Sequence, residues 1–82
     1  FRKVTIENYW IGYRDGDHWE SMEFADCGCV ELNNVEHTES ARWLTLSGST
    51  ERLDLRFCSL QGNEQFPTGI NNAAGAVITN FV

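Results

Sequence analysis

The chain has 82 residues, 12 acidic side chains against six Lys and Arg, and a net charge of −6. With 41% apolar residues, three Trp and five Phe, it reads as one small domain over residues 1–82 rather than a disordered segment. The acidic excess lacks the basic footprint that nucleic acid or an anionic membrane surface requires, and no apolar run nears the roughly 18 residues of a membrane-spanning helix.

Residues 3–13 are rich in β-branched and aromatic side chains and predict a long strand that bends at Gly12. Asp15-Gly16 then lies between two apolar runs, the pattern of a tight hairpin whose turn needs positive φ. Residues 18–24 support two readings. A return strand is the natural partner of that turn, while Asp17 with Glu20 and Trp19 with Met22 have helical spacing; the strand is favoured. Residues 29–32 and 35–38 flank Asn33-Asn34, and because Asn tolerates the left-handed region a second hairpin is expected there. Its register sets Glu31 against Glu36, a mildly unfavourable pair.

Residues 42–46 and 52–57 both alternate apolar and polar with period two. They predict a third hairpin, with Leu46 opposite Leu53, Leu44 opposite Leu55, and Trp43 stacked on Arg56 as a cation–π pair. Residues 60–72 read as a loop punctuated by Gly62, Pro67 and Gly69. Residues 73–82 read as a final strand, apolar on both faces and so expected to be buried rather than at an edge. The sum is an all-β fold: a small single-domain sandwich or barrel of six to seven short, mainly antiparallel strands, with no internal repeat.

Three cysteines are present: Cys27, Cys29 and Cys58. A bridge between Cys27 and Cys29, separated by one glycine, is strained. In an oxidising compartment the expected disulfide joins Cys58 to one of that pair, a loop closure worth about 3–4 kcal/mol. The remaining thiol is then available for an intermolecular bond or a reactive role. A Cys₃His zinc site with His37 departs from the usual ligand spacing, so no metal is expected. The odd cysteine count, together with a start at Phe1 rather than Met, suggests a removed leader or a trimmed chain and a secreted or extracellular setting.

Eight acids fall between Asp15 and Glu39, and no Lys or Arg lies between Asp15 and Ala41. Such a run suits a cationic partner or serves solubility alone. Asp15, Asp17 and Glu20 place carboxylates on one turn, a calcium-like set that is also ordinary turn chemistry. The aromatics Tyr9, Trp10, Tyr13, Trp19, Phe24 and Trp43 are many for so short a chain, and three Trp are hard to bury completely. An exposed ring anchors a partner well. The candidate binding residues are therefore Tyr13, Asp15, Asp17, Trp19, Glu20, Trp43 and Arg56. No nucleophile elbow or catalytic-cysteine signature is present, and Glu36 and His37, as strand neighbours, point to opposite faces. The expectation is a small secreted or surface-exposed, non-enzymatic binding module, effector-, toxin- or inhibitor-like, without cofactor, meeting a protein or carbohydrate partner. Two alternatives remain: a structural subunit of a filament, coat or homo-oligomer, joined by the odd cysteine or an open strand edge, and a small hydrolase using Cys or paired carboxylates.

Overall fold

The computed structural model describes residues 2–14, 18–19, 21–37, 43–62 and 64–81. Among these residues there are ten strands and no helix: β1 (Lys3–Ile11), β2 (Tyr13–Arg14), β3 (His18–Trp19), β4 (Met22–Ala25), β5 (Cys29–His37), β6 (Leu44–Ser47), β7 (Arg52–Arg56), β8 (Ser59–Leu60), β9 (Ile70–Asn72) and β10 (Val77–Phe81). β1, β5, β7 and β10 form one sheet in that order, with β8 also paired to β5, and β4, β6 and β9 form a second. Both sheets are parallel throughout. Only the small β2–β3 pair is antiparallel.

Each strand lies beside the one that follows a full coil later. Lys3 pairs with Cys29, Cys29 with Arg52 and Arg52 with Val77, steps of 26, 23 and 25 residues. In the second sheet Met22 pairs with Leu44 and Leu44 with Ile70, steps of 22 and 26. The chain is thus a β-solenoid, in which identical positions of successive coils stack.

The alternation read from the sequence explains why the coils stack in this register. In the first sheet the inward columns are Val4–Val30–Leu53–Ile78 and Ile6–Leu32–Leu55–Asn80. In the second they are Met22–Leu44–Ile70 and Phe24–Leu46–Asn72. Val30, Leu32, Leu44, Leu46 and Leu53 have no solvent exposure, and each contributes about 1.5–3 kcal/mol by leaving water. A slip by one residue would turn these columns outward.

The corners are set by local chemistry. Asp26 (φ 57°) and Gly48 (φ 62°) occupy equivalent positions just after β4 and β6. Asp26 Oδ1 accepts hydrogen bonds from Ser49 N (2.9 Å) and Ser49 Oγ (3.3 Å). A Cβ at Gly48 would collide with that carboxylate, in a backbone region that already disfavours side chains. Thr50 is buried beneath this corner. Its Oγ1 accepts from Cys27 N at 3.2 Å and lies 2.8 Å from Ser47 O and 3.0 Å from Phe24 O, so its single proton is shared between two carbonyls.

Several expectations are corrected by this winding. The strands are mainly parallel, eight of them in two sheets, and the internal repeat that the sequence did not reveal is the coil itself. The hairpin at Asn33-Asn34 is absent: β5 continues through it, and Asn34 bends the strand at φ 54° without reversing it. Glu31 therefore neighbours Thr5 and Asp54, not Glu36. Leu44, Leu46, Leu53 and Leu55 are all inward as expected, but they lie in different sheets of one core rather than in a hairpin. Residues 60–72 carry part of β8 and all of β9. Within residues 18–24 the described strands are β3 and the start of β4, as favoured. The last strand, β10, pairs only with β7 among the described residues, and Val77 and Ile78 are 66% and 41% exposed.

The expected disulfide is also absent, since all three cysteines are free. Cys29 lies on the outer face beside Asp54, whereas Cys58 packs against the core and donates to Leu32 O, three residues or about 10 Å further along β5 at roughly 3.3 Å per residue. A disulfide requires Cα atoms within about 7 Å.

Candidate functional site

The fold distributes the residues singled out in the sequence. Tyr13 and Trp19 lie directly opposite each other in the β2–β3 pair. Asp15, Asp17 and Glu20 fall outside the described residues. Trp43 is half-buried and packs on Phe66, with ring centroids 4.6 Å apart and planes at 52°, and the hairpin register that set it opposite Arg56 is absent, since Arg56 pairs with Asn33 and Phe81. Arg56 sits exposed at the end of β7. The described acids of the run are distributed over different elements rather than gathered on one face. Glu23 lies on the second sheet and accepts from Ser47 Oγ at 2.8 Å, Asp26 caps a corner, and Glu31 lies on the first sheet, 3.3 Å from Lys3 Nζ.

The outer face of the first sheet is a lattice of such contacts within and between neighbouring coils. Thr5 Oγ1 donates to Glu31 at 3.3 Å. Arg52 Nε donates to Asp54 at 2.7 Å, which raises the guanidinium's affinity for its proton. The Cys29 thiol donates to the same carboxylate at 3.8 Å. Partial desolvation, then the charge on Asp54, push the Cys29 thiol above its ordinary value. A thiol in this state is a poor nucleophile, because the thiolate is the reactive form. Cys27 is buried in the core, and Cys58 donates to Leu32 O at 3.1 Å.

A second feature of the first sheet is a column of left-handed residues. Asn8, Asn34 and Phe57 all have φ 54°. The pairing Glu7–Asn33–Arg56 immediately before them places the three one above another on successive coils. Asn34 Nδ2 donates to Asn8 Oδ1 at 2.8 Å, so the two amides form a ladder. The sequence supplies Asn twice, and Asn adopts this backbone region readily. Phe57 does not fit the pattern. A bulky residue at positive φ is an outlier, and here its ring is 67% exposed.

Outward columns flank this one, exposed except at half-buried Asn33. On one side stand Glu7, Asn33 and Arg56; on the other stand Trp10, Glu36 and Ser59. Tyr9 and Trp10 are 37% and 36% exposed at the first coil. A Cβ at Gly12 would strike the Trp10 ring, so the glycine lets that indole fold back over the chain. Tyr9 shares the inward column of Val35, so the strip presents two rings, Trp10 and Phe57, and two laddered amides, with two carboxylates and one guanidinium at its borders.

Comparison with protein-family models, with curated proteins and with solved structures gives no match to this chain.

The sequence reading missed Asn8, Asn34 and Phe57 as a site. The signal was present as an apolar–x–apolar–x pattern before each of them: Val4-Thr5-Ile6-Glu7, Val30-Glu31-Leu32-Asn33 and Leu53-Asp54-Leu55-Arg56. Aligned, these place the two asparagines and Phe57 at one position of a repeat.

Proposed function

We propose that the chain is a non-enzymatic binding module, and that its binding surface is the strip of Asn8, Asn34 and Phe57 with Trp10, Glu36 and Arg56 beside it. Phe57 carries this reading. A bulky residue in the left-handed region costs about 1–3 kcal/mol and persists where the surrounding fold enforces it, commonly at functional sites. Here the ring gains little burial in return, and two coils show that Asn fits the same position. An exposed aromatic held at a cost is suited to anchoring a partner.

The chemistry of the strip favours a carbohydrate chain over a cationic protein. Its centre is neutral, its amides each offer a donor and an acceptor, and its rings offer flat apolar faces. Among the described residues, the acids of the run, Glu23, Asp26, Glu31 and Glu36, do not gather on this strip. The raised pKa of Cys29 speaks against a thiolate-based hydrolase on the adjoining sheet face.

The test is an array of neutral and acidic oligosaccharides probed with the fluorescently labelled chain and with Phe57→Asn. Retention of the parent chain on a subset of glycans, lost at least tenfold in Phe57→Asn, is the expected result. Equal retention of both, or retention of neither, defeats the carbohydrate reading. Selective capture of basic peptides, lost on neutralising Glu36, would favour a protein partner.

A further inference from the structure

We propose, resting on the carbohydrate reading above, that the strip takes a straight, neutral chain of equatorially linked hexose units, laid across the strands along the solenoid axis with one unit to each coil.

The first observation is the direction in which the binding groups repeat. Asn8, Asn34 and Phe57 share one backbone conformation and stand on three successive coils. Stacked strands are about 4.8 Å apart, so the three positions span about 10 Å along the axis. Trp10 stands beside the first position and Phe57 occupies the third. A ligand laid along one strand would meet the amide or the ring of a single coil. A ligand laid across the strands meets both amides, with an aromatic ring towards each end.

The second observation is the hydrogen-bonding capacity that the ladder leaves over. Asn34 Nδ2 donates to Asn8 Oδ1, and both side chains are exposed. A side-chain amide carries two donor protons and an acceptor oxygen. Among the described residues, Asn8 Nδ2 and Asn34 Oδ1 have no partner. The bond between the two amides holds each of them in place, which lowers the cost of ordering them on binding. A ligand running along the axis therefore finds a fixed donor on one coil and a fixed acceptor on the next. A sugar hydroxyl both donates and accepts, so successive units can satisfy the two in turn.

Spacing and charge narrow the class of sugar chain. Equatorial linkage on both sides of the ring keeps a hexose chain straight and flat. Each unit then advances it by about one ring length, close to the strand spacing of about 4.8 Å. The edge of such a ribbon offers a hydroxyl at each unit. Its faces offer C–H groups, which suit the electron-rich face of an aromatic ring. An axial linkage makes the chain coil, so that its units leave the strip after one or two contacts. The charges beside the strip are of both signs: Glu7 on the first coil, Glu36 on the second and Arg56 on the third. An anionic chain running the length of the strip would pass two carboxylates, and a cationic one would meet the guanidinium, each repelled at short range. A neutral chain meets neither penalty.

Calorimetric titration with cello-oligosaccharides, which are equatorially linked, and malto-oligosaccharides, which carry an axial linkage, tests linkage and direction together. Cellohexaose should bind at least tenfold more tightly than maltohexaose. Within the cello series, affinity should rise at least fivefold from two units to three. Asn8→Gly, which accepts the positive φ but has no amide, should abolish that rise. Chemical-shift mapping of the unaltered, isotopically labelled chain decides the matter even if Asn8→Gly fails to fold. Cellohexaose should there move the side-chain amides of both Asn8 and Asn34 together with the ring signals of Phe57. Equal affinity for the two series, a rise that survives Asn8→Gly, or shifts confined to one coil would overturn the inference. Binding of neither series, while the array retains other glycans, would overturn it and leave the carbohydrate reading standing. An array that retains nothing would remove both.

Discussion

Replacing Phe57 by Asn should make the protein more stable while removing its proposed anchor. The left-handed conformation costs an ordinary residue about 1–2 kcal/mol, and Asn relieves most of that. An amide at position 57 would also extend the Asn8–Asn34 ladder by one step, worth about 0.5–1 kcal/mol net. Against this stands the lost burial of the ring. Because Phe57 is 67% exposed, only about a third of the roughly 1.5–3 kcal/mol for a buried Phe is at stake. The balance is a gain of about 1 kcal/mol, or a rise in melting temperature of about 4–8 °C for a domain of this size. Thermal melts followed by circular dichroism, with urea titration as a check on the slope, measure it. Phe57→Ala supplies the contrast: it removes the ring without an amide or a tolerant backbone, and should give no gain. If Phe57→Asn is neutral or destabilising, the ring is packed rather than strained, and the reasoning that assigns it to binding fails.

Three further outcomes follow from the same structure. Leu46→Ala, at a fully buried position, should cost about 2–5 kcal/mol, enough to leave much of so small a domain unfolded by circular dichroism at 25 °C. Thr50→Val should cost about 1–3 kcal/mol by leaving Cys27 N without its acceptor, while Thr50→Ser, which keeps the hydroxyl, should cost clearly less in the same urea titration. The Cys29 thiol should alkylate with a midpoint above the ordinary value of about 8.5, and Asp54→Asn should lower that midpoint. The folded chain holds this proton more tightly than the unfolded chain. Its contribution therefore favours the fold below the ordinary thiol range and is lost as pH rises through it.

The sequence disclosed the faces of strands better than their neighbours. Period-two alternation marked Leu44, Leu46, Leu53 and Leu55 as inward, and all four are buried. What alternation cannot express is the partner of a strand. A short polar connection between two alternating segments reads as a hairpin, and the Leu44 and Leu53 segments were joined on that basis. In the structure the connection turns a corner, at Gly48 and Thr50, into the opposite sheet. Asn34 shows the same limit: its tolerance of positive φ was legible, but one left-handed residue bends a strand, whereas a two-residue reversal needs two. The parallel partners lie 22 to 26 residues away, beyond any local signal, and the steps are unequal, so the repeat is blurred. The binding strip was hidden for the same reason, because Asn8, Asn34 and Phe57 become one feature only after the coils are stacked. The cysteine reading failed on distance, since Cys29 and Cys58 stand far apart along adjacent strands.

Everything proposed for the strip rests on parallel stacking of the coils. A nuclear Overhauser experiment on the isotopically labelled chain tests it directly. The account predicts backbone contacts joining Thr5 to Glu31, Glu31 to Asp54 and Asp54 to Thr79, with side-chain contacts between the amides of Asn8 and Asn34. Backbone contacts joining Leu46 to Leu53 and Leu44 to Leu55 instead, in an antiparallel ladder, would contradict it.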